Sequence, residues 1–308
     1  AGGSEEASAA DGHGEAPGLW SCRGNEAHTI VAPSLTEGQS RTPRQWVARL
    51  HGFRPFASMR VALFIPCFVD SLFPDTGRAA VRVLRTAGER ASRPLDLVYP
   101  RDQTCCGQVH HNSGERAVST RLMQHFLQVF EGAEWVVTPS ASCAAMVRDQ
   151  YPVMAAESGD PRLSEEISAI TPRVAELSQF VVGELGVTDL GARFEHRVAL
   201  HSTCHSTRFL GLTDEPLSLL QNVDGLDLVG HRHPDECCGF GGTFAVKNPE
   251  VSEAMMDDKL DAFVDSGAEF VTAVDDSCLM HLEGGLRRRG SPIRTLHLAR
   301  ILDPGRTQ

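Results

Sequence analysis

The sequence is poor in positive charge. Its 308 residues include 29 Lys and Arg against 40 Asp and Glu, a formal net charge of −11 at pH 7. Proteins that bind nucleic acids or acidic membranes generally take their affinity from clustered positive charge. The few basic runs, such as Arg287-Arg288-Arg289, are short and typical of a solvated helix end. The composition therefore argues against a general nucleic-acid binder, and we expect no nucleic-acid partner.

The sequence also lacks long apolar segments. No apolar run approaches the roughly 18 residues needed to span a bilayer. Residues 1–30 have neither the basic start nor the apolar stretch of a signal peptide. We therefore expect a cytoplasmic protein without a transmembrane segment. Because cytosolic thiols stay reduced, its 9 cysteines favour metal binding or redox chemistry over a disulfide framework.

Several familiar site motifs are missing as well. There is no CxxC pair of the zinc-knuckle kind and no CxxCxxCxxxCP run of cubane ferredoxins. There is also no glycine loop of Walker or Rossmann spacing and no Ser-His-Asp set. The catalytic residues are therefore unknown at this stage.

What the sequence does contain is a Cys-Cys-Gly motif that occurs twice. Cys105-Cys106-Gly107 is separated by 37 residues from the preceding cysteine and by 36 from the following one. For Cys237-Cys238-Gly239 the two separations are 32 and 39 residues. Eight of the nine cysteines thus fall into two quartets. The first quartet is Cys67, Cys105, Cys106 and Cys143, and the second quartet is Cys204, Cys237, Cys238 and Cys278.

The stretches around the two quartets repeat each other. RVAL begins at residues 60 and 197, LDLV at 95 and 226, and GAE at 132 and 267. This internal duplication sets the architecture. We predict a first cysteine-rich unit at 59–160, a helical connection at 161–190 and a second unit at 191–308. Residues 1–58 contain Cys22 but no methionine, and we interpret them as a disordered or non-native extension before a natural start at Met59.

The order of the predicted elements indicates the fold class. Short apolar strands alternate with helices in both units, which predicts an α/β fold of two duplicated units with parallel sheets. The predicted strands are Val61–Pro66, Leu95–Tyr99, Trp135–Thr138, Arg197–Leu200, Leu226–Val229 and one at Phe270-Val271. Every quartet cysteine follows a predicted strand. Because ligands gather at the carboxyl ends of parallel strands, each quartet should converge at one edge of its sheet.

Four thiols brought to one place indicate a metal. Thiolates repel one another unless a cation lies between them, and soft sulfur ligands select zinc or iron–sulfur clusters. Adjacent cysteines suit two neighbouring irons better than one tetrahedral ion, and a following glycine allows close approach to an inorganic core. We favour an iron–sulfur cluster in each unit, with zinc in one unit as the alternative. Inert buried cysteines and structural disulfides are weaker explanations.

At these motifs the chain from Met59 onward resembles the CCG, or cysteine-rich-domain, iron–sulfur proteins. This superfamily includes the B subunit of heterodisulfide reductase and the iron–sulfur subunits of glycolate and anaerobic glycerol-3-phosphate dehydrogenases. The segments FIPCFVD at 64, PSASC at 139, HSTCH at 201 and DSCLMH at 276 are most similar to its lactate utilization protein A group.

The resemblance carries expectations about activity and partners. It implies an oxidoreductase subunit that transfers electrons while a small 2-hydroxy acid, L-lactate, is oxidised to pyruvate. It also implies a complex with a ferredoxin-type iron–sulfur subunit and a third lactate-utilization subunit. The missing CxxCxxCxxxCP run agrees with that expectation, because relay clusters would have to come from a partner.

One departure from the superfamily bears on the cofactor. The heterodisulfide reductase subunit has a CxxC at the third position of each motif, which gives five cysteines around a non-cubane cluster. In this chain the first of those two positions is Ser140 in one unit and Asp275 in the other. Four thiolates per unit favour one [4Fe–4S] cluster in each. A heterodisulfide or thiol–disulfide reductase subunit and a zinc-stabilised non-enzymatic scaffold are the alternative functions.

Histidines flank the motif cysteines. They are His110, His111, His201 and His205. Our main expectation is that they cap helices or hydrogen-bond to sulfur and backbone. A fifth metal ligand or a proton relay is the functional alternative.

Overall fold

The computed structural model describes residues 58–305. Residues 1–57, with Cys22 and nearly all of the predicted N-terminal extension, lie outside the described residues, as do residues 306–308. The expectations for the N-terminal segment therefore stay predictions.

Two four-stranded parallel sheets form the frame. The first contains β1 (Met59–Leu63), β2 (Leu95–Val98), β3 (Trp135–Thr138) and β4 (Val174–Glu176), in the order β2-β1-β3-β4. The second contains β5 (Arg197–Leu200), β6 (Asp227–Leu228), β7 (Phe270–Ala273) and β8 (Arg294–His297), in the order β6-β5-β7-β8. The identical order confirms the predicted α/β fold of two duplicated units.

Helices connect the strands. In the first unit and the connection they are α1 (Cys67–Leu72), α2 (Pro74–Arg90), α3 (Gln108–Asn112), α4 (Arg116–Val129), α5 (Ala141–Ala145), α6 (Tyr151–Ser158), α7 (Pro161–Ile170) and α8 (Leu177–Gln179). In the second unit they are α9 (Cys204–Arg208), α10 (Asp214–Gln221), α11 (Phe244–Lys247), α12 (Pro249–Ser266), α13 (Asp276–Arg288) and α14 (Leu298–Ile301). Over residues 58–305, none of the helices is long and apolar enough to cross a membrane.

Local sequence signals explain the long helices. Pro74 and Pro249 stand at the first position of α2 and α12, where a missing N–H costs nothing. Gly267 ends α12 with φ of 68°, the left-handed conformation that glycine adopts freely. A π-helical turn, Met146–Gln150, joins α5 to α6 and begins three residues after Cys143. The equivalent helix of the second unit, α13, runs without such a turn.

The segment between the two units is not purely helical. Its strand β4 pairs in parallel with β3, with Val174 opposite Val136, and completes the first sheet. Residues 161–190 were predicted as a helical connection, so the structure differs from that prediction at β4. Three residues are too few to show a strand period in the sequence. Strand β8 occupies the same place in the second sheet.

Alternation along the strands divides the apolar core into three clusters. Val61 and Leu63 of β1 belong to one cluster, whereas Ala62 of β1 and Phe64, which follows this strand, belong to another. The first cluster also contains Val198 and Phe270 of the second sheet, so it is common to both units. The other two clusters lie on the opposite faces of the separate sheets. Because the two units share a core, the strand ends that bear the quartets are held in a fixed relation.

Candidate metal centres

The first quartet assembles at the carboxyl ends of β1, β2 and β3. Cys67 is the first residue of α1, Cys143 lies in α5, and the Cys105-Cys106 pair lies in the loop before α3. The sulfur of Cys105 accepts hydrogen bonds from the thiols of Cys106 and Cys67, and these lower the pKa of Cys105. Hydrogen bonds with Cys105 and Cys143, together with burial, raise the pKa of Cys106. The four sulfurs therefore form one connected chain.

The second quartet reproduces this arrangement. Cys204 begins α9, Cys278 lies in α13, and the Cys237-Cys238 pair follows β6. Hydrogen bonds from Cys204 and then Cys238 lower the pKa of Cys237. Cys238 is in turn hydrogen-bonded to Cys237 and Cys278, which raises its pKa. The structure thus brings together both predicted ligand sets with one pattern of contacts.

The glycine of each motif turns the backbone toward sulfur. Gly107 and Gly239 both have φ of 85°, a conformation that glycine adopts without the steric cost of a Cβ. The Gly107 N–H donates to the Cys105 sulfur at 3.3 Å, and the Gly239 N–H donates to the Cys237 sulfur at 3.4 Å. Each turn therefore supplies a backbone donor to the first cysteine of its pair.

All eight quartet cysteines are free thiols. Four of them are buried and four are half-buried, so each quartet has a buried side and an open side. The buried ones are Cys106, Cys143, Cys238 and Cys278, and the half-buried ones are Cys67, Cys105, Cys204 and Cys237.

The two quartets open into one cavity. Residues of both quartets line it. Phe68, which follows Cys67, meets Phe240, which follows the second motif, edge-to-face with ring centroids 5.9 Å apart. The two candidate centres are therefore neighbours across an interface lined partly by aromatic rings.

The two positions where a fifth cysteine is missing touch each other. The Ser140 hydroxyl donates to Asp275 Oδ1 at 2.7 Å, although these residues are 135 positions apart in the chain. The Ser142 hydroxyl donates to the same oxygen at 2.8 Å, and the Ser142 N–H donates to Oδ2 at 3.0 Å. Asp275 is 1% exposed, and burial raises its pKa. Ser140 and Asp275 thus join the two units beside the cavity.

His205 lies between the quartets. Its Nε2 is 3.0 Å from Gln108 Nε2, which also donates to the Ser142 carbonyl at 3.3 Å. Because an amide nitrogen only donates, His205 Nε2 accepts and its Nδ1 carries the proton. That Nδ1 lies 3.5 Å from the Cys204 sulfur. The prediction of a sulfur-partnering histidine fits this residue.

The first-unit histidines differ from each other. The hydrogen bonds from Cys106, Cys67 and the Gly107 N–H lower the pKa of Cys105, and His110 adds a smaller effect of the same sign, so His110 lies near that sulfur. His111 instead contacts Arg116 through Nδ1 at 2.9 Å. The two neighbouring histidines therefore have different contacts.

His201 does not make the hydrogen bonds to sulfur or backbone that were expected of its ring. It is 1% exposed, and neither ring nitrogen has a hydrogen-bond partner among the described residues. Burial lowers the pKa of His201 to about 3, so the ring is neutral at ordinary pH. One of its ring nitrogens and the sulfurs of Cys238 and Cys278 all lie within 4.8 Å of one another.

The sulfurs of each quartet are not all gathered around one point. Four thiolates around one zinc ion, each about 2.3 Å away, would all lie about 3.8 Å from one another. In residues 58–305, the one group of three or more donor atoms lying mutually within 4.8 Å is His201, Cys238 and Cys278. The quartets are instead spread as chains of neighbouring sulfurs. Eight reduced soft donors in this arrangement fit a thiolate-bound metal group.

Some supporting residues were missed by sequence reasoning. Lys259 is completely buried and donates from Nζ to the carbonyls of His233 at 2.7 Å and Pro234 at 3.2 Å. It thereby holds the loop that leads to Cys237, and burial lowers the pKa of Lys259 to about 8. The available signal for this role was the position of the lysine in the sequence, next to Leu260 on the buried side of α12.

Tyr151 performs a similar task in the first unit. Its hydroxyl donates to the Cys106 carbonyl at 2.9 Å from a fully buried position. No sequence pattern predicts this contact, because 45 positions separate the two residues.

Comparisons with known proteins agree with this geometry. A family model described as a cysteine-rich domain, CCG, matches residues 61–148 and 198–283, more than half of the chain. Lactate utilization protein A from an Exiguobacterium species is 42% identical over 247 residues, which covers 80% of this chain and 97% of that protein. Proteins of the same name from a Geobacillus species and from Anoxybacillus flavithermus are 39% and 40% identical over 245 residues, covering 80% of this chain and 99% of each relative. The chain therefore belongs to the CCG cysteine-rich domain family and groups within it with the lactate utilization protein A proteins.

Proposed function

We propose that this chain is an iron–sulfur subunit that carries electrons while L-lactate is oxidised to pyruvate. The observation that carries the proposal is the pair of four-thiol sites at equivalent strand ends, opening into one cavity. The substrate is inferred from the name of the relatives, lactate utilization protein A. A CCG cysteine-rich domain in duplicate supports a metal or iron–sulfur cofactor.

Each quartet is proposed to hold one [4Fe–4S] cluster. A cluster at each quartet would supply one-electron transfer, and a pair of them matches the two electrons that lactate loses, with two protons, on becoming pyruvate. Gly107 and Gly239 would orient ligating sulfurs through their N–H groups, and Phe68 with Phe240 would limit water between the sites. Such surrounding contacts tune a metal site as much as its ligands do.

The proposed partners are a ferredoxin-type iron–sulfur subunit and a third lactate-utilization subunit. The half-buried cysteines give each quartet an open side from which electrons could leave. This chain has no relay motif of its own, so a partner would take that role. Adding L-lactate to the reconstituted complex should bleach the visible absorbance of the clusters. Unchanged absorbance in a complex that is assembled and iron-loaded would contradict the proposal.

Metal analysis of the full chain, purified without oxygen, is the first test. About eight irons with acid-labile sulfide would support two clusters, and about four irons with one zinc would leave one cluster. Colourless protein with zinc and no iron would establish the scaffold alternative. Reduction of a disulfide together with an unusual electron paramagnetic resonance signature would favour the disulfide-reductase alternative.

Single cysteine changes test whether the sites are separate. Cys106→Ser and Cys238→Ser should each remove iron from their own unit only, because the two sulfurs belong to different chains of contacts. Cys22→Ser is the matched control and should leave the iron content unchanged. Equal loss from both units in either quartet variant would contradict the two-site arrangement.

A further inference from the structure

A buried position behind each quartet holds a different residue in the two units. Aligning the RVAL segments at residues 60 and 197 places Phe64 of the first unit opposite His201 of the second. Both side chains are 1% exposed. Phe64 packs edge-on against Phe126 and Phe130, with ring centroids 5.3 and 5.5 Å away. His201 packs edge-on against Phe263 at 6.3 Å. A phenyl ring therefore satisfies the packing at this place.

An imidazole at the same place has ring nitrogens that need hydrogen-bond or metal partners. Burying a polar group without a hydrogen bond is unfavourable, and most buried polar groups have partners. Both nitrogens of His201 lack one within residues 58–305. The neighbouring donors are the sulfurs of Cys238 and Cys278, so the ring is directed at the second quartet rather than at backbone. A buried, unpaired imidazole beside two buried thiols has the composition of an incomplete ligand set.

We propose that His201 is a fifth protein ligand of the second metal centre, and that one of its ring nitrogens would bind there beside Cys238 and Cys278. The first centre would have four ligands, all sulfur, because Phe64 stands where the nitrogen would be. The inference rests on the proposed metal centres and changes the second one, because four thiolates already fill the four ligand positions of a [4Fe–4S] cube and a fifth ligand requires a different cluster or metal.

The difference has a consequence for electron flow. Ligand identity is one of the features that set the reduction potential of a metal centre. A nitrogen added to four thiolates makes the ligand set of the second centre different from that of the first, so the two potentials should differ. Electrons would pass between the two quartets across the interface between Phe68 and Phe240.

The test uses the full chain carrying Cys106→Ser, so that the second centre dominates the spectrum. Pulsed electron paramagnetic resonance of the reduced protein, with and without isotope-labelled histidine, should show strong nitrogen coupling that changes with the label. His201→Phe, which introduces the residue of the first unit, should abolish that coupling and change the reduction potential of the centre. If the second centre is found to hold zinc, zinc-edge X-ray absorption should show one nitrogen ligand in the parent and none in His201→Phe.

A matched control is His281→Met. His281 aligns with Met146 of the first unit and makes a contact of 3.4 Å with Ser252 through Nε2. This variant removes a histidine from the same unit and should leave the nitrogen coupling intact.

The outcomes separate this inference from the function proposed above. Absence of metal from both units would defeat the proposed function itself. Iron present with no histidine coupling in the parent, or with coupling too weak for a direct bond, would overturn His201 ligation alone. Coupling that survives His201→Phe would assign it to another histidine and would also overturn the inference.

Discussion

The two motif glycines form a matched pair for testing how the turns hold the thiols. Gly107 and Gly239 have the same φ of 85° and make equivalent N–H···S contacts. A Cβ added at Gly107 would meet nothing closer than 3.5 Å, at the Leu122 side chain. A Cβ added at Gly239 would lie 2.4 Å from the Ser252 carbonyl oxygen and 3.1 Å from Met255 Cβ. Alanine therefore strains both turns but clashes in only one.

The expected magnitudes follow from these contacts. The left-handed conformation costs about 1–2 kcal/mol for a residue with a Cβ, and both variants incur this cost. At Gly239 the clash is with helix backbone, which adds about 1–3 kcal/mol for overpacking. Moving that backbone also disturbs the 2.8 Å hydrogen bond from the Ser252 hydroxyl to the Gly239 carbonyl. Gly239→Ala should thus lower the free energy of unfolding by about 2–5 kcal/mol, against about 1–2 kcal/mol for Gly107→Ala.

Two measurements check this prediction. Urea unfolding of the full chain under reducing conditions gives the free energies, and iron analysis shows which centre is affected. Gly239→Ala should lose iron mainly from the second quartet, whereas Gly107→Ala should retain most of its iron. Equal destabilisation and equal iron loss in the two variants would refute the steric argument at Ser252.

Three further changes test the frame around the centres. Ser140→Ala should lower the free energy of unfolding by about 1.5–3 kcal/mol, because the buried Asp275 carboxylate loses its 2.7 Å hydrogen bond; an unchanged urea midpoint would contradict this. Arg82→Ala should cost about 1–3 kcal/mol because it leaves the nearly buried Asp303 carboxylate, 4% exposed, without its guanidinium partner, and Arg82→Lys should recover only part of the loss. Burial raises the pKa of Glu176 from 4.5 to about 7. Between these two pH values the folded state therefore binds more protons than the unfolded state, and the free energy of unfolding falls as the pH rises. Urea midpoints measured across that window should fall less for Glu176→Gln, and parallel profiles for the two proteins would count against the assignment.

The parts of the structure that could be predicted are those with local signals. β3 and β5 match their predicted bounds, because short apolar runs bounded by turn residues are typical of buried parallel strands. The quartets could be predicted because duplicated spacing and strand ends together place distant cysteines at one edge. Strand β4 has three residues and no period, so its place beside β3 depends on packing that the sequence does not display. The partners of Lys259 were equally hidden, because they are backbone carbonyls of a loop more than 20 positions away.

Contacts between the units were the least predictable feature and the most informative one. Comparison of the motifs identified Ser140 and Asp275 as positions without a thiol, but not that their side chains meet at 2.7 Å. A buried carboxylate needs hydrogen-bond donors, and the other unit supplies them from Ser140 and Ser142. A cysteine restored at Ser140 alone would remove one of those donors and leave the acid less satisfied. The departures at Ser140 and Asp275 are therefore coupled, and their contact fixes the interface between the two candidate centres. These centres share a thiol pattern but differ in their surroundings, because His201 lies beside the second one.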